Sequence, residues 1–220
     1  MRMTMNEILK SAKLDFHLVR PYLKGLKMAW AMAAFFVFIN RSLLFGVVFT
    51  MIINTILIAY PFSISEKSGV ERLYGILPVS KKYFVLGRYF FTCTVGLLTS
   101  LFATAVYSVI LTASGQTLTP SEICMAPVAG FSIYSFYTVV QLPAFYKYGT
   151  LKGKAFTYIP MMLYVVIILI VLNFNVIGEG FLLFIANNVI LIVPVLLLIF
   201  ITAYWISVAA SIRALQNKEI

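Results

Sequence analysis

The sequence predicts an all-α, polytopic membrane protein with six transmembrane helices, an N-terminal amphipathic interfacial helix and a short cytoplasmic coupling helix. The 220 residues are 62% hydrophobic and their mean hydropathy is +0.99, whereas a soluble domain has about 45–50% apolar residues. Charge-free runs of spanning length alternate with short charged segments. We therefore interpret residues 1–220 as a single transmembrane domain.

Residues 5–24 are predicted to form the interfacial helix. Apolar side chains recur on one face at helical spacing, and Lys10, Lys13 and Arg20 lie on the opposite face. A basic amphipathic helix that precedes a span lies in the membrane interface, with its cations toward anionic headgroups.

Six apolar runs are predicted to be the spans, and the last one needs interpretation. As one helix, the run 180–212 would be about 50 Å long, against a hydrocarbon core of about 30 Å. Asn187, Asn188 and Pro194 indicate a break in it, so we interpret 180–193 as an outer re-entrant segment; one long last span is the alternative. The predicted spans are 25–40, 42–65, 83–113, 123–146, 155–178 and 194–212.

Lysine and arginine are distributed very unequally between the two sides of these spans. With the N-terminus inside, sixteen of the seventeen lie on the cytoplasmic side and Arg41 alone lies opposite. Cytoplasmic loops carry such an excess of basic residues. We therefore expect both termini in the cytoplasm.

Several function classes are disfavoured by what the sequence lacks. It has no Gly-x-x-x-x-Gly-Lys-Ser/Thr loop for ATP phosphates and no acid or base in the central part of a span, where ion-coupled carriers keep them. It has no paired carboxylates and no Ser/His/Asp set, and its two cysteines and one histidine make no metal-ligand set. We expect no enzyme activity, no metal site and no nucleic-acid partner.

The segment 66–82, between the second and third spans, is the most charged internal stretch. Ser68 and Glu71 have the spacing of a capping box, and Pro78 ends the helix that it starts. Apolar residues at i, i+3, i+4 and i+7 give this helix one apolar face. These residues are Val70, Leu73, Tyr74 and Leu77. An apolar face with a charged rim is typical of a contact surface.

Small and polar side chains follow the third and fourth spans, and two interpretations of them stay open. They could line a substrate pathway, or they could allow the helices to pack closely. The pathway candidates are Thr92, Ser100, Tyr107, Ser135 and Gln141.

The two predicted cytoplasmic loops give the chain a resemblance to the ABC-2 type transporter permeases, and especially to small bacterial members. The first loop has an acid-rich start, then Leu-Pro-Val-Ser with basic residues, then an aromatic and aliphatic run into the third span. These parts are Glu66, Glu71 and Arg72, then Leu77 to Lys82, then Tyr83 to Arg88. The second loop, Leu142 to Gly149, resembles the same subfamily.

The resemblance implies a multi-pass subunit of a bacterial cytoplasmic membrane that exports a hydrophobic or amphipathic substrate, such as a peptide or a drug-like compound. Two permease chains would pair, with a homodimer favoured over a heterodimer, and would bind two copies of a separate ABC ATPase that carries ATP and magnesium. The alternative is an immunity or sensor module that binds a peptide in the bilayer without transporting it.

The resemblance also implies which residues contact the ATPase. The first-loop residues are Glu66, Val70, Glu71, Arg72, Leu73, Tyr74, Leu77 and Pro78. The second-loop residues are Tyr146, Lys147 and Lys152.

Overall fold

The computed structural model describes residues 2–67, 81–156, 158–160, 162 and 189–217, and all regular structure in these residues is helical. This confirms the all-α membrane class. The helices are α1 (Arg2–Val19), α2 (Leu23–Asn40), α3 (Leu43–Asn54), α4 (Ile56–Lys67), α5 (Lys81–Ala113), α6 (Pro120–Gly153) and α7 (Val189–Gln216), with a 3-10 turn (Arg20–Tyr22) between α1 and α2.

Four helical segments in the described ranges are long and apolar enough to cross a membrane. They are Leu43–Lys67, Lys81–Ala113, Pro120–Gly153 and Leu198–Gln216. The N-terminal helices make a fifth if Asn6–Gly25 and Lys27–Asn40, bent by 57° to each other, are counted as one span. Most of the predicted fifth span, 155–178, lies outside the described residues.

Local sequence explains where several helices begin and end. Arg41 adopts a left-handed conformation with φ 49°, which ends α2, and the Ser42 hydroxyl then accepts a hydrogen bond from the Phe45 N–H at the start of α3. Thr119 and Glu122 form a capping box around Pro120. The start of α3 at Leu43 and the start of α6 at Pro120 lie within three residues of the predicted starts of the second and fourth spans.

The last helix differs from its predicted bounds. Within the described part of the chain, α7 is helical from Val189 onward and continues across Pro194. The described residues therefore show no break at Pro194. Residues 180–188 lie outside them, and the interpretation of 180–193 remains a prediction.

The spans pack closely around α3, α5 and α6. At Gly130 on α6, an added Cβ atom would lie 2.8 Å from Cγ1 of Val47 on α3, so the missing side chain permits this approach. Helix α7 packs against α5 and α6. The core between the helices includes Met51, Tyr107 and Tyr134, which are almost completely buried.

Helix α1 packs along α5 and α4. Ala12 and Val19 are buried against Leu57 and Phe91, and Gly87 lies so near α1 that an added Cβ atom would come within 2.6 Å of Ser11. The apolar face predicted for this helix is therefore covered in part by other helices.

Candidate functional site

The ends of the helices that carry most of the basic residues come together in the structure. The Lys81 ammonium donates to the Leu215 carbonyl at 3.4 Å, which joins the start of α5 to the end of α7. At the other end, the Gln116 side chain donates to the Arg41 carbonyl at 2.8 Å. We call the end with Lys81 the basic end. Arg41 thus lies toward the opposite end of α5 from Lys81.

Glu66 links the two predicted cytoplasmic loops. Its Oε1 accepts a hydrogen bond from the Thr150 N–H at 2.7 Å, and its carboxylate also accepts one from the Thr150 hydroxyl. Gly149, with φ 73° and ψ −176°, interrupts α6 just before this residue. The carboxylate therefore caps the backbone where the helix resumes, as acidic side chains do at helix N-termini.

A buried ion pair lies beside this link. The Arg88 guanidinium donates to both carboxylate oxygens of Asp15, from Nε at 3.1 Å and from Nη2 at 3.0 Å, and neither side chain is more than 8% exposed. The Cζ atom of Arg88 lies 4.2 Å from the ring centroid of Phe62 and 5.7 Å from that of Tyr146. The arginine thus connects α1, α4, α5 and α6 through charge-assisted and cation–π contacts.

Asp15 was not predicted as a site residue, although its spacing along α1 carries a signal. Asp15 is three residues after Ala12 and four before Val19, so it falls on the apolar face of α1. A carboxylate on such a face requires a buried partner. Which arginine or lysine supplies that partner depends on tertiary packing.

Most of the predicted ATPase contacts of the first loop lie outside the described residues. These are Val70, Glu71, Arg72, Leu73, Tyr74, Leu77 and Pro78. Glu66 is described, and its carboxylate is engaged by Thr150. The docking role of the loop remains a prediction.

The second-loop residues differ in exposure. Lys147 and Lys152 are exposed, and the Lys147 ammonium lies 5.2 Å from the ring centroid of Tyr148. Tyr146 is 6% exposed, and its ring packs edge-on against Phe62. The two lysines are therefore accessible to a partner, whereas Tyr146 supports the loop from inside.

All five pathway candidates are buried within the chain. Thr92, Ser100, Tyr107, Ser135 and Gln141 are each at most 2% exposed. Tyr107 shares a hydrogen bond of 2.6 Å with Thr50, and the Thr92 hydroxyl donates to carbonyls of its own helix. These contacts favour the packing interpretation, and a pathway role for these residues remains a prediction.

Comparison with protein families matches residues 12–216 to the ABC-2 family transporter proteins. The match covers most of the helices described above, and the chain therefore belongs to the ABC-2 transporter family. It is a membrane component of an ABC transporter, and this membership implies a separate ABC ATPase partner. No curated protein and no solved structure matches the chain.

Proposed function

We propose that this chain is the permease subunit of an ATP-driven exporter in a bacterial cytoplasmic membrane. Its substrate is hydrophobic or amphipathic, such as a peptide or a drug-like compound. Family membership supports the transport role. The sequence contains no phosphate-binding loop of its own, so the energy of ATP comes from the partner.

The link between Glu66 and Thr150 is the observation that carries this proposal. Glu66 begins the segment 66–82 predicted to dock on the ATPase, and Thr150 lies between Lys147 and Lys152, which are predicted to contact it. A shift of the docked loop would therefore act on the ends of α4 and α6 together. Two elements joined by a hydrogen-bonded carboxylate move as a unit more readily than two separate loops.

We further propose that two copies of the chain pair, each with one ATPase, and that the substrate crosses between them. Within the described part of the chain, most of α7 over Leu198–Gln216 is not covered by other helices, and Trp205 and Ile206 there are 76% and 70% exposed. Such a surface contacts either lipid or another protein. The burial of the pathway candidates means that other side chains would line a path between two chains.

A reconstituted complex tests this function. The chain would be co-expressed with its ABC ATPase partner, placed in proteoliposomes, and supplied with ATP and a fluorescent amphipathic helical peptide. We expect peptide transport that requires ATP and stops when the catalytic glutamate of the ATPase is replaced. Peptide binding without ATP-dependent transport would instead support an immunity or sensor module.

A further inference from the structure

A cavity of about 470 Å³ lies between the N-terminal helices and the first spans. Its walls come from α1, α2, α3, α4 and α5, and its lining is largely apolar, with Phe16, Leu57 and Val95 among the side chains. This volume falls within the range of about 300–1,000 Å³ that is usual for ligand pockets.

Asn54 is a buried polar residue of the cavity wall. Its side chain is fully buried and lines the cavity, and its Oδ1 accepts a hydrogen bond from the Trp30 indole N–H at 3.1 Å. Because an indole nitrogen can only donate, this contact fixes the orientation of the amide. The remaining Nδ2 has no hydrogen-bond partner among the described residues.

An unpaired buried amide is costly, and the cost is greater within a membrane, where water cannot replace the missing acceptor. Asn54 therefore favours an occupant that brings an acceptor, such as a carbonyl oxygen, into an apolar space. Lys27, which is exposed and also lines the cavity, adds a cation. Its long side chain can reach from the first turns of α2 toward the headgroup region.

We propose that this cavity binds one acyl chain of an anionic phospholipid. The chain fills the apolar part, the ester carbonyl lies at the wall that Asn54 forms, and the phosphate lies near Lys27. A peptide suits the cavity less well, because its backbone N–H groups would need several acceptors that the largely apolar lining does not supply. The Phe16 side chain in the wall makes the bound lipid a contact between α1 and the spans.

The two tryptophans provide a test with an internal reference. Trp30 lines the cavity, whereas Trp205 on α7 is 76% exposed and reports the general lipid surface. The full chain would be reconstituted in vesicles as Trp205→Phe, which keeps Trp30, and as Trp30→Phe, which keeps Trp205. Phosphatidylglycerol or phosphatidylcholine with brominated acyl chains, which quench tryptophan on contact, would be titrated into each.

We expect Trp30 to prefer brominated phosphatidylglycerol by about fivefold, the effect of one basic side chain near an anionic lipid. Trp205 should show no such preference. In the Trp30 reporter, Lys27→Gln should remove the preference, while Lys24→Gln, an exposed lysine of the same helix that does not line the cavity, should keep it.

A second pair of variants tests the space itself. Val95→Phe should fill the cavity and reduce quenching of Trp30 by either lipid, whereas Leu97→Phe, exposed on the same helix and not lining the cavity, should not. Equal lipid preference at Trp30 and Trp205 would overturn the proposal. So would protection of Trp30 by an added amphipathic helical peptide without any preference for phosphatidylglycerol, which would identify a peptide site instead. Because Lys27 is exposed, the Lys27→Gln variant should fold normally. Its result therefore still tests the proposal if the Val95→Phe variant fails to fold.

Discussion

Arg88 is held by a carboxylate and by two aromatic rings, and all of these groups are buried. Removing one partner of a buried ion pair leaves an uncompensated charge, which costs about 3–5 kcal/mol. We expect Asp15→Ala to lower the free energy of unfolding by about this amount, measured by thermal unfolding in detergent. The matched control is Lys13→Ala, an exposed residue of the same helix, which should change stability little.

The double variant separates the charge from the packing. Asp15→Asn with Arg88→Met removes both charges and keeps most of the volume, so it should be more stable than Asp15→Ala. Equal stability of the double variant and Asp15→Ala would show that the cost arises from lost packing and not from the unpaired arginine.

Gly149 is required by the backbone at the link between the loops. Its φ of 73° and ψ of −176° belong to a region essentially restricted to glycine, and a Cβ atom there would lie 2.7 Å from Oε1 of Glu66. We expect Gly149→Ala to destabilise the chain by about 1–3 kcal/mol. Gly25→Ala is the control, because nothing lies within 4 Å of a Cβ atom at this helical position; it should leave stability unchanged or raise it by up to about 1 kcal/mol.

At the scale of elements, the short helix predicted in segment 66–82 remains to be tested directly. We expect Leu73→Asp to abolish stimulation and binding of the ATPase, because a charge placed in a docked apolar groove costs enough to weaken binding by about a thousandfold or more. Glu71→Gln should have a milder effect, since glutamine still serves a capping box. Pull-down of the ATPase from membranes measures both.

The control for this helix is Leu14→Asp, which adds the same charge to an exposed apolar position of α1. If the predicted helix merely lies on lipid, Leu73→Asp and Leu14→Asp should behave alike and leave the complex intact. Loss of the ATPase for Leu73→Asp alone supports docking.

Element boundaries were predictable where charge and capping residues mark them. Arg41 and Ser42 separate α2 from α3, and Thr119 with Glu122 marks the start of α6. The fourth span was predicted to end at residue 146 because Lys147 ends its charge-free run. Helix α6 passes Pro143, as packed membrane helices allow, is interrupted at Gly149 and ends at Gly153.

The candidate site was less predictable, because its contacts join residues far apart in the sequence. Glu66 was identified from its loop, but its partner Thr150 was not. Asn54 and Trp30 were not identified at all, since a single amide and a single indole in apolar runs carry no spacing that indicates a pair. Tyr146 was predicted to be a second-loop contact; it lies within α6, and its burial depends on Phe62 from another helix.

At the scale of the molecule, the orientation in the membrane is the main expectation that rests on charge. We expect cysteines placed at Lys82 and Lys152 to resist an impermeant thiol reagent in intact cells, and one at Thr117, near the opposite end, to react. All three positions are exposed. The background should carry Cys93→Ser and Cys124→Ser, because Cys124 is itself exposed. Labelling at Lys82 in intact cells would reverse the orientation.

The Asp15–Arg88 pair also bears on how the protein is made. The two residues are 73 positions apart, so the ribosome releases α1 well before α5 exists. Until α5 has entered the bilayer, Asp15 lacks this arginine, and its carboxylate favours water or the headgroup layer. We therefore expect α1 to remain outside the helix bundle during synthesis and to dock after the third predicted span has inserted. A nascent chain stalled before Arg88 should leave α1 open to protease, and one stalled after α5 has inserted should protect it.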